Sequence, residues 1–213
     1  MKSSIAPGYP GIRRLAVAAA LSCMVLSWPL AGAAQPAAAG VPASPQAVST
    51  AAQSDPRQVA ATVAEVQALR KAGRGAEALP VLEAALRSAP RDAQLRFLYG
   101  LTVAEAGRAG DAIAVFESLT VDFPELPEPY NNLAVMHAAQ GDLDKARAAL
   151  ENAVRALPGY ALAHENLGDL YLRLAARAWA RAAELDATSR SAPARLEAAR
   201  TLIQQITPPA QRR

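Results

Sequence analysis

From residue 59 onward the apolar positions recur at a fixed long period. Gly73, Gly107 and Gly141 are spaced 34 residues apart, and so are Ala78, Ala112 and Ala146. Leu82, Phe116 and Leu150 keep the same step, as do Pro90, Pro124 and Pro158. A period of 34 predicts a stack of helix–turn–helix units. The glycine ends the first helix, where a left-handed residue is needed. The alanine lets the two helices of a unit approach closely. The Leu or Phe fills the space between neighbouring units, and the proline ends the second helix. One helix pair cannot cover its own apolar face, so the units must stack.

The fourth period departs from this pattern. HENLGDLY, 164–171, opens in register with Leu167, Gly168 and Tyr171, and then no turn follows. Leu167, Tyr171, Leu174, Ala178, Ala182 and Leu185 make one apolar seam at spacings of three and four, which predicts a single helix over 161–185. Within it, Asp169 and Arg173 form an i,i+4 pair in the favourable orientation. SAPARLEAARTLIQQI, 191–206, predicts a last helix begun by Ser191 and stopped by Pro208-Pro209, capping the stack.

The first 34 residues have another character. Lys2, Arg13 and Arg14 precede the apolar run LAVAAALSCMVLSWPL, 15–30, and AGA at 31–33 offers small residues for cleavage. This is the pattern of an export signal over 1–33, and the expected location is periplasmic. The alternative is a membrane-anchored lipoprotein through Cys23, although Ala20-Leu21-Ser22-Cys23 lacks the usual leucine of a lipidation box. Arg13-Arg14 also permits a twin-arginine reading. Residues 34–56 are Ala, Pro, Ser and Gln without periodicity, and read as a disordered spacer.

Composition narrows the class. Of 213 residues 52% are apolar and only 5% aromatic, with alanine abundant. That mixture favours close helix packing over a β-sandwich. The net charge of +3 is accounted for by Lys2, Arg13 and Arg14, because the other 19 basic residues balance 19 acidic ones. A nucleic-acid footprint is therefore not expected. Cys23 is the single cysteine, which leaves no disulfide framework and no zinc cluster.

The repeat resembles the tetratricopeptide repeat family. YNNLAVMHAAQGDLDKARAALENAVRALP, 130–158, matches it best, and YGLTVAEAGRAGDAIAVFESLTVDFP, 99–124, is also clear. The first repeat has Val66 where glycine is usual and carries Pro80, which should kink its second helix. The resemblance implies an all-α fold, a short solenoid of antiparallel helix pairs with one long degenerate helix and a C-terminal capping helix. Three repeats fall within 57–158, at about 59–92, 93–126 and 127–160. A degenerate fourth follows at 159–190 and the capping helix at 191–207.

The resemblance also implies that the first helix of each pair lines a concave groove. Asn132 and Asn166 stand at equivalent positions 34 apart, with Asn131 beside them. In the O-linked N-acetylglucosamine transferases, asparagines at this position clamp the backbone of an extended peptide. An amide offers both donors and an acceptor for that purpose. The other reading is packing or hydrogen bonding between adjacent repeats, since repeats one and two have Ala64 and Leu98 there. The remaining groove candidates are Val63, Gln67, Arg70, Phe97, Leu101, Val135, Glu165 and Asp169. Phe97 and Leu101 would form an apolar step if exposed.

His137 and His164 occupy positions where the family packs aromatic residues, so both are expected in the core. No metal-spaced partners accompany them. No phosphate loop and no Ser–His–Asp set occurs. Arg173, Arg177 and Arg181 read as a solvated, partly paired run. The expectation is a non-enzymatic adaptor or scaffold of a bacterial-type cell envelope, without catalytic residues, metal or cofactor. It would bind a peptide segment or helix of a protein partner. The alternative is a structural subunit docked permanently in an envelope complex.

Overall fold

A computed structural model describes residues 55–206. The expected export signal, Cys23, nearly all of the expected spacer and Pro208-Pro209 lie outside the described residues. Eight helices occur among the described residues: α1 Pro56–Lys71, α2 Gly75–Ser88, α3 Ala93–Glu105, α4 Ala109–Asp122, α5 Pro127–Ala139, α6 Leu143–Ala156, α7 Ala161–Leu185 and α8 Ser191–Ile206. The fold is an all-α solenoid, each helix packing on the next. α1 also touches α3, and α5 touches α7, so first helices meet across repeats.

The three tight turns share one geometry. Gly73, Gly107 and Gly141 have φ of 73°, 81° and 82°. Each glycine N–H bonds the carbonyl three residues back, and the next N–H bonds the carbonyl five back, as in Arg108 N to Val103 O at 3.1 Å. This double closure satisfies the last carbonyls of the first helix and reverses the chain. The second helices stop differently. Ala89, Phe123 and Leu157 leave the helix at φ between −133° and −141°, each just before a proline. The proline ring excludes the helical conformation from the residue before it.

Packing follows the period. Ala78, Ala112 and Ala146 are fully buried, as are the plugs Leu82, Phe116 and Leu150. A Cβ built at Gly100 would lie 2.9 Å from Phe116 Cε1, so α3 and α4 approach as closely as glycine allows. Pro80 lies inside α2, which runs as one helix from Gly75 to Ser88. Its missing N–H costs a single ladder bond, in the second turn. The first helix starts at Pro56 with the Asp55 carboxylate accepting from Arg57 N at 2.9 Å. The last two residues of the expected spacer thus belong to the fold. α7 is a single 25-residue helix, and α8 follows it after a short connection.

Candidate functional site

The face formed by the first helices α1, α3, α5 and α7 is the candidate interaction site. Its residues form rows at the 34-residue step. One row is Val63, Phe97, Asn131 and Glu165; another is Gln67, Leu101, Val135 and Asp169. Physical contact between neighbouring first helices occurs at a step of 35. Arg70 donates to Glu105 through Nε at 3.1 Å and Nη2 at 2.8 Å. Asn166 Nδ2 donates to Asn131 Oδ1 at 2.7 Å. Each repeat advances slightly less than a whole register, so a side chain meets its equivalent's C-terminal neighbour.

The three asparagines have different partners. Asn131 is only 4% exposed and joins α5 to α7 through its amide oxygen. Asn132 is 8% exposed and its Nδ2 donates to Glu128 O at 2.8 Å, one turn back in its own helix. The two equivalent positions, 132 and 166, thus do different work. Asn166 is half-buried and spends one amide donor on the neighbouring repeat. The inter-repeat hydrogen bond left open by the sequence is present.

Phe97 and Leu101 were expected as an apolar step in the groove; the structure corrects this. They are 5% and 2% exposed, and the Phe97 ring lies 5.7 Å from that of Phe116. α3 is the first helix of the second repeat, with α1, α2 and α4 packed on it, so nearly its whole surface is covered. Val63 is also buried. Arg70 is held by Glu105, the side chains being 11% and 20% exposed, and is not a free cation.

Accessibility returns at the C-terminal end of the face. Val135 is half-buried, while Glu165 and Asp169 are exposed one turn apart on α7. The Asp169 carboxyl titrates above its ordinary value of 3.8. Partial burial is the main cause; the field of Glu165 adds to it and Arg173 opposes it.

The histidines divide. His137 is half-buried, and its Nδ1 is enclosed without a hydrogen-bond partner. His164, expected in the core, is exposed. Its Nε2 lies 2.9 Å from Pro158 O, so it closes the α6–α7 connection instead. Among the described residues no group of His, Cys, Asp or Glu is arranged to hold a metal ion. No described helix is long and apolar enough to cross a membrane.

Comparison with known proteins fits this architecture. Two tetratricopeptide repeat profiles match residues 63–127 and 127–170. The chain is 40% identical over 68 residues to the TPR repeat-containing thioredoxin TTL4 of Arabidopsis thaliana, covering 32% of this chain and 10% of that protein. The chain therefore spans about a tenth of the length of this curated relative. The first TPR domain of the human RPAP3 protein superposes with a TM-score of 0.52 at 15% identity, over 57% of this chain and 95% of that one. TTC0263, a thermophilic TPR protein of Thermus thermophilus, gives 0.51 at 21% identity, over 68% and 82%. At these identities the two structures speak for the fold. Residues 63–170 are tetratricopeptide repeats, a module whose stacked helices present an extended surface to other proteins.

Proposed function

We propose that this tetratricopeptide-repeat chain is a non-enzymatic adaptor whose first-helix face holds a basic peptide segment or helix of another protein. One observation carries the reading: Glu165 and Asp169 are exposed in rows whose earlier members Phe97, Leu101 and Asn131 are buried. The open end of the face is therefore acidic, with the half-buried Val135 beside it as apolar footing. A Lys or Arg side chain would neutralise the raised Asp169 carboxyl while its methylene stem covers Val135.

The pattern of residues 1–33 supports work in the cell envelope after export. Intact mass of the protein recovered from the envelope tests that part. A mass retaining residues 1–33 would make them an uncleaved anchor, a lipidated Cys23 would make the protein a lipoprotein, and recovery from the cytosol alone would remove the reading.

The groove reading is tested with labelled peptides of matched length, Lys-rich, Arg-rich and Glu-rich, by fluorescence anisotropy. Basic peptides should bind, and rising salt should weaken them. Glu165→Gln with Asp169→Asn should lower affinity about tenfold or more, as loss of two charge contacts implies. Binding unchanged by the double substitution, or equal for acidic and basic peptides, overturns the reading.

A further inference from the structure

We infer that the C-terminal half of α7, together with α8, docks a second copy of this chain, antiparallel about Ala178. α6 covers the early part of α7, and that cover stops where Arg177 Nη2 meets Asp144 Oδ2 at 2.9 Å, in the first turn of α6. α7 continues for two more turns to Leu185. Its apolar seam continues too, but uncovered. Leu167 is buried and Leu174 is half-buried against the core, whereas Tyr171 is 49% exposed, Ala178 and Ala182 are exposed, and Leu185 is 71% exposed.

α8 does not cover this seam. At 100° per residue, the half-buried Ala175, Trp179 and Ala183 lie on a different stripe of α7. They face α8, whose own inner stripe contains the buried Ala192 and Ala199. Leu202 and Ile206, 45% and 38% exposed, stand on the shoulder of that stripe. Because α8 runs back along α7, this shoulder lies on the same side as the open seam. The hairpin therefore offers a two-helix apolar face, bounded on α8 by the exposed Arg195, which stands one heptad before Leu202.

The order of sizes along the seam names the occupant. Placed antiparallel about Ala178, Tyr171 meets Leu185 of the second copy, Leu174 meets its Ala182, and Ala178 meets Ala178. Large residues pair at the ends, and small ones let the helix axes close at the centre. The result is a four-helix bundle, one hairpin from each copy. A membrane is a poorer fit, because the centre of the seam is alanine and no bulky residue there would insert. The seam itself carries no charge, and the flanking Arg181 is paired with Glu184 at 2.9 Å. The face is about 21 Å long and about two helices wide. That is close to the ~1,000 Å² total below which specific interfaces are rare, so the dimer dissociates reversibly.

Charge gives the association a signature. Residues 55–170 contain sixteen acids and eleven basic residues, whereas 171–206 contain six arginines and three acids. The overall balance hides a basic hairpin. Two such hairpins repel each other, so added salt should tighten the dimer. An acidic partner on the same face would show the opposite trend.

The test uses the full chain carrying Cys23→Ser. Tyr171→Cys and Leu185→Cys are placed in separate preparations, then oxidised alone and mixed. The mixed disulfide should form in large excess over either homodimer. Sedimentation should give mass rising with concentration from 22.2 kDa towards two chains. Ala178→Arg should weaken this at least about tenfold with the helical circular dichroism unchanged, since that position is exposed. A chain that stays monomeric, homodimer crosslinks equal to mixed ones, or association that survives Ala178→Arg each overturns the inference.

Discussion

Gly100, inside α3, and Gly107, in the turn that follows it, are required for different reasons. Gly107 has open space around it but sits at φ 81°. Gly107→Ala should therefore cost about 1–2 kcal/mol through backbone conformation alone, and a β-branched valine should cost more. Gly100 has ordinary helical backbone, but its missing Cβ is replaced by the Phe116 ring. Gly100→Ala should destabilise by about 1–2 kcal/mol, overpacking outweighing the helix propensity gained. With Phe116→Leu already in place the ring is gone and Val115 Cγ1, 3.1 Å away, is the close neighbour left, so the same substitution should cost clearly less. Urea melts of the four proteins check the difference. Asp169 offers a pH test. Its folded-state carboxyl titrates above 3.8, so the ionised form is the disfavoured one. The penalty is absent at low pH and develops as pH rises from 3.8 through the folded-state value. Asp169→Asn should raise Tm slightly at neutral pH, by less than ~2 °C, and leave it unchanged near pH 3.

Between elements, two polar ties join first helices across repeats. The Asn131–Asn166 bond and the Arg70–Glu105 bidentate pair both bridge 35 residues. A double-mutant cycle on Asn131→Ala and Asn166→Ala should return a coupling of about 0.5–1.5 kcal/mol. The Asn132→Ala change should show little coupling to Asn166→Ala, because Asn132 bonds its own helix. Equal coupling for 131 and 132 would refute the assignment of the tie. Arg70→Met leaves the Glu105 carboxylate largely covered and without its partner, so it should destabilise more than Arg70→Met combined with Glu105→Gln. Thermal melts of the single and double variants decide this. The period made the existence of these repeats legible, yet it aligned Asn132 with Asn166. The observed pair is Asn131 with Asn166, because packed helices are offset by a residue relative to the repeat.

At the scale of the molecule the repeats and the C-terminal hairpin have different surfaces. The repeats are acidic in sum and close their core around α3. The hairpin is basic and leaves an apolar face open. Removing residues 186–213 should expose the α8-facing stripe around Trp179 as well. That chain should melt earlier and bind more of a hydrophobic dye than the full one, with the helices of 55–170 retained by circular dichroism. Repeat stacks behave this way because each unit is stabilised by its neighbour and terminal units need cover.

The amino-acid sequence by itself determined the helix pairs, their turns and the single long helix. Those features depend on local conformation and on periodicity, which are written along the chain. Gly73, Gly107 and Gly141 take left-handed backbone wherever the repeat places them, and the stretch from Leu167 to Leu185 contains no proline, its one glycine lying at 168. Only the tertiary structure decided which first-helix positions are open. Phe97 and Glu165 are equivalent in sequence register, but Phe97 has repeats on both sides and Glu165 faces the end of the stack. Burial is a property of what lies next to a residue in space, and a repeat period assigns the same neighbours to every copy. The ends of the stack break that equivalence, and the accessible acidic row and the uncovered hairpin both lie there.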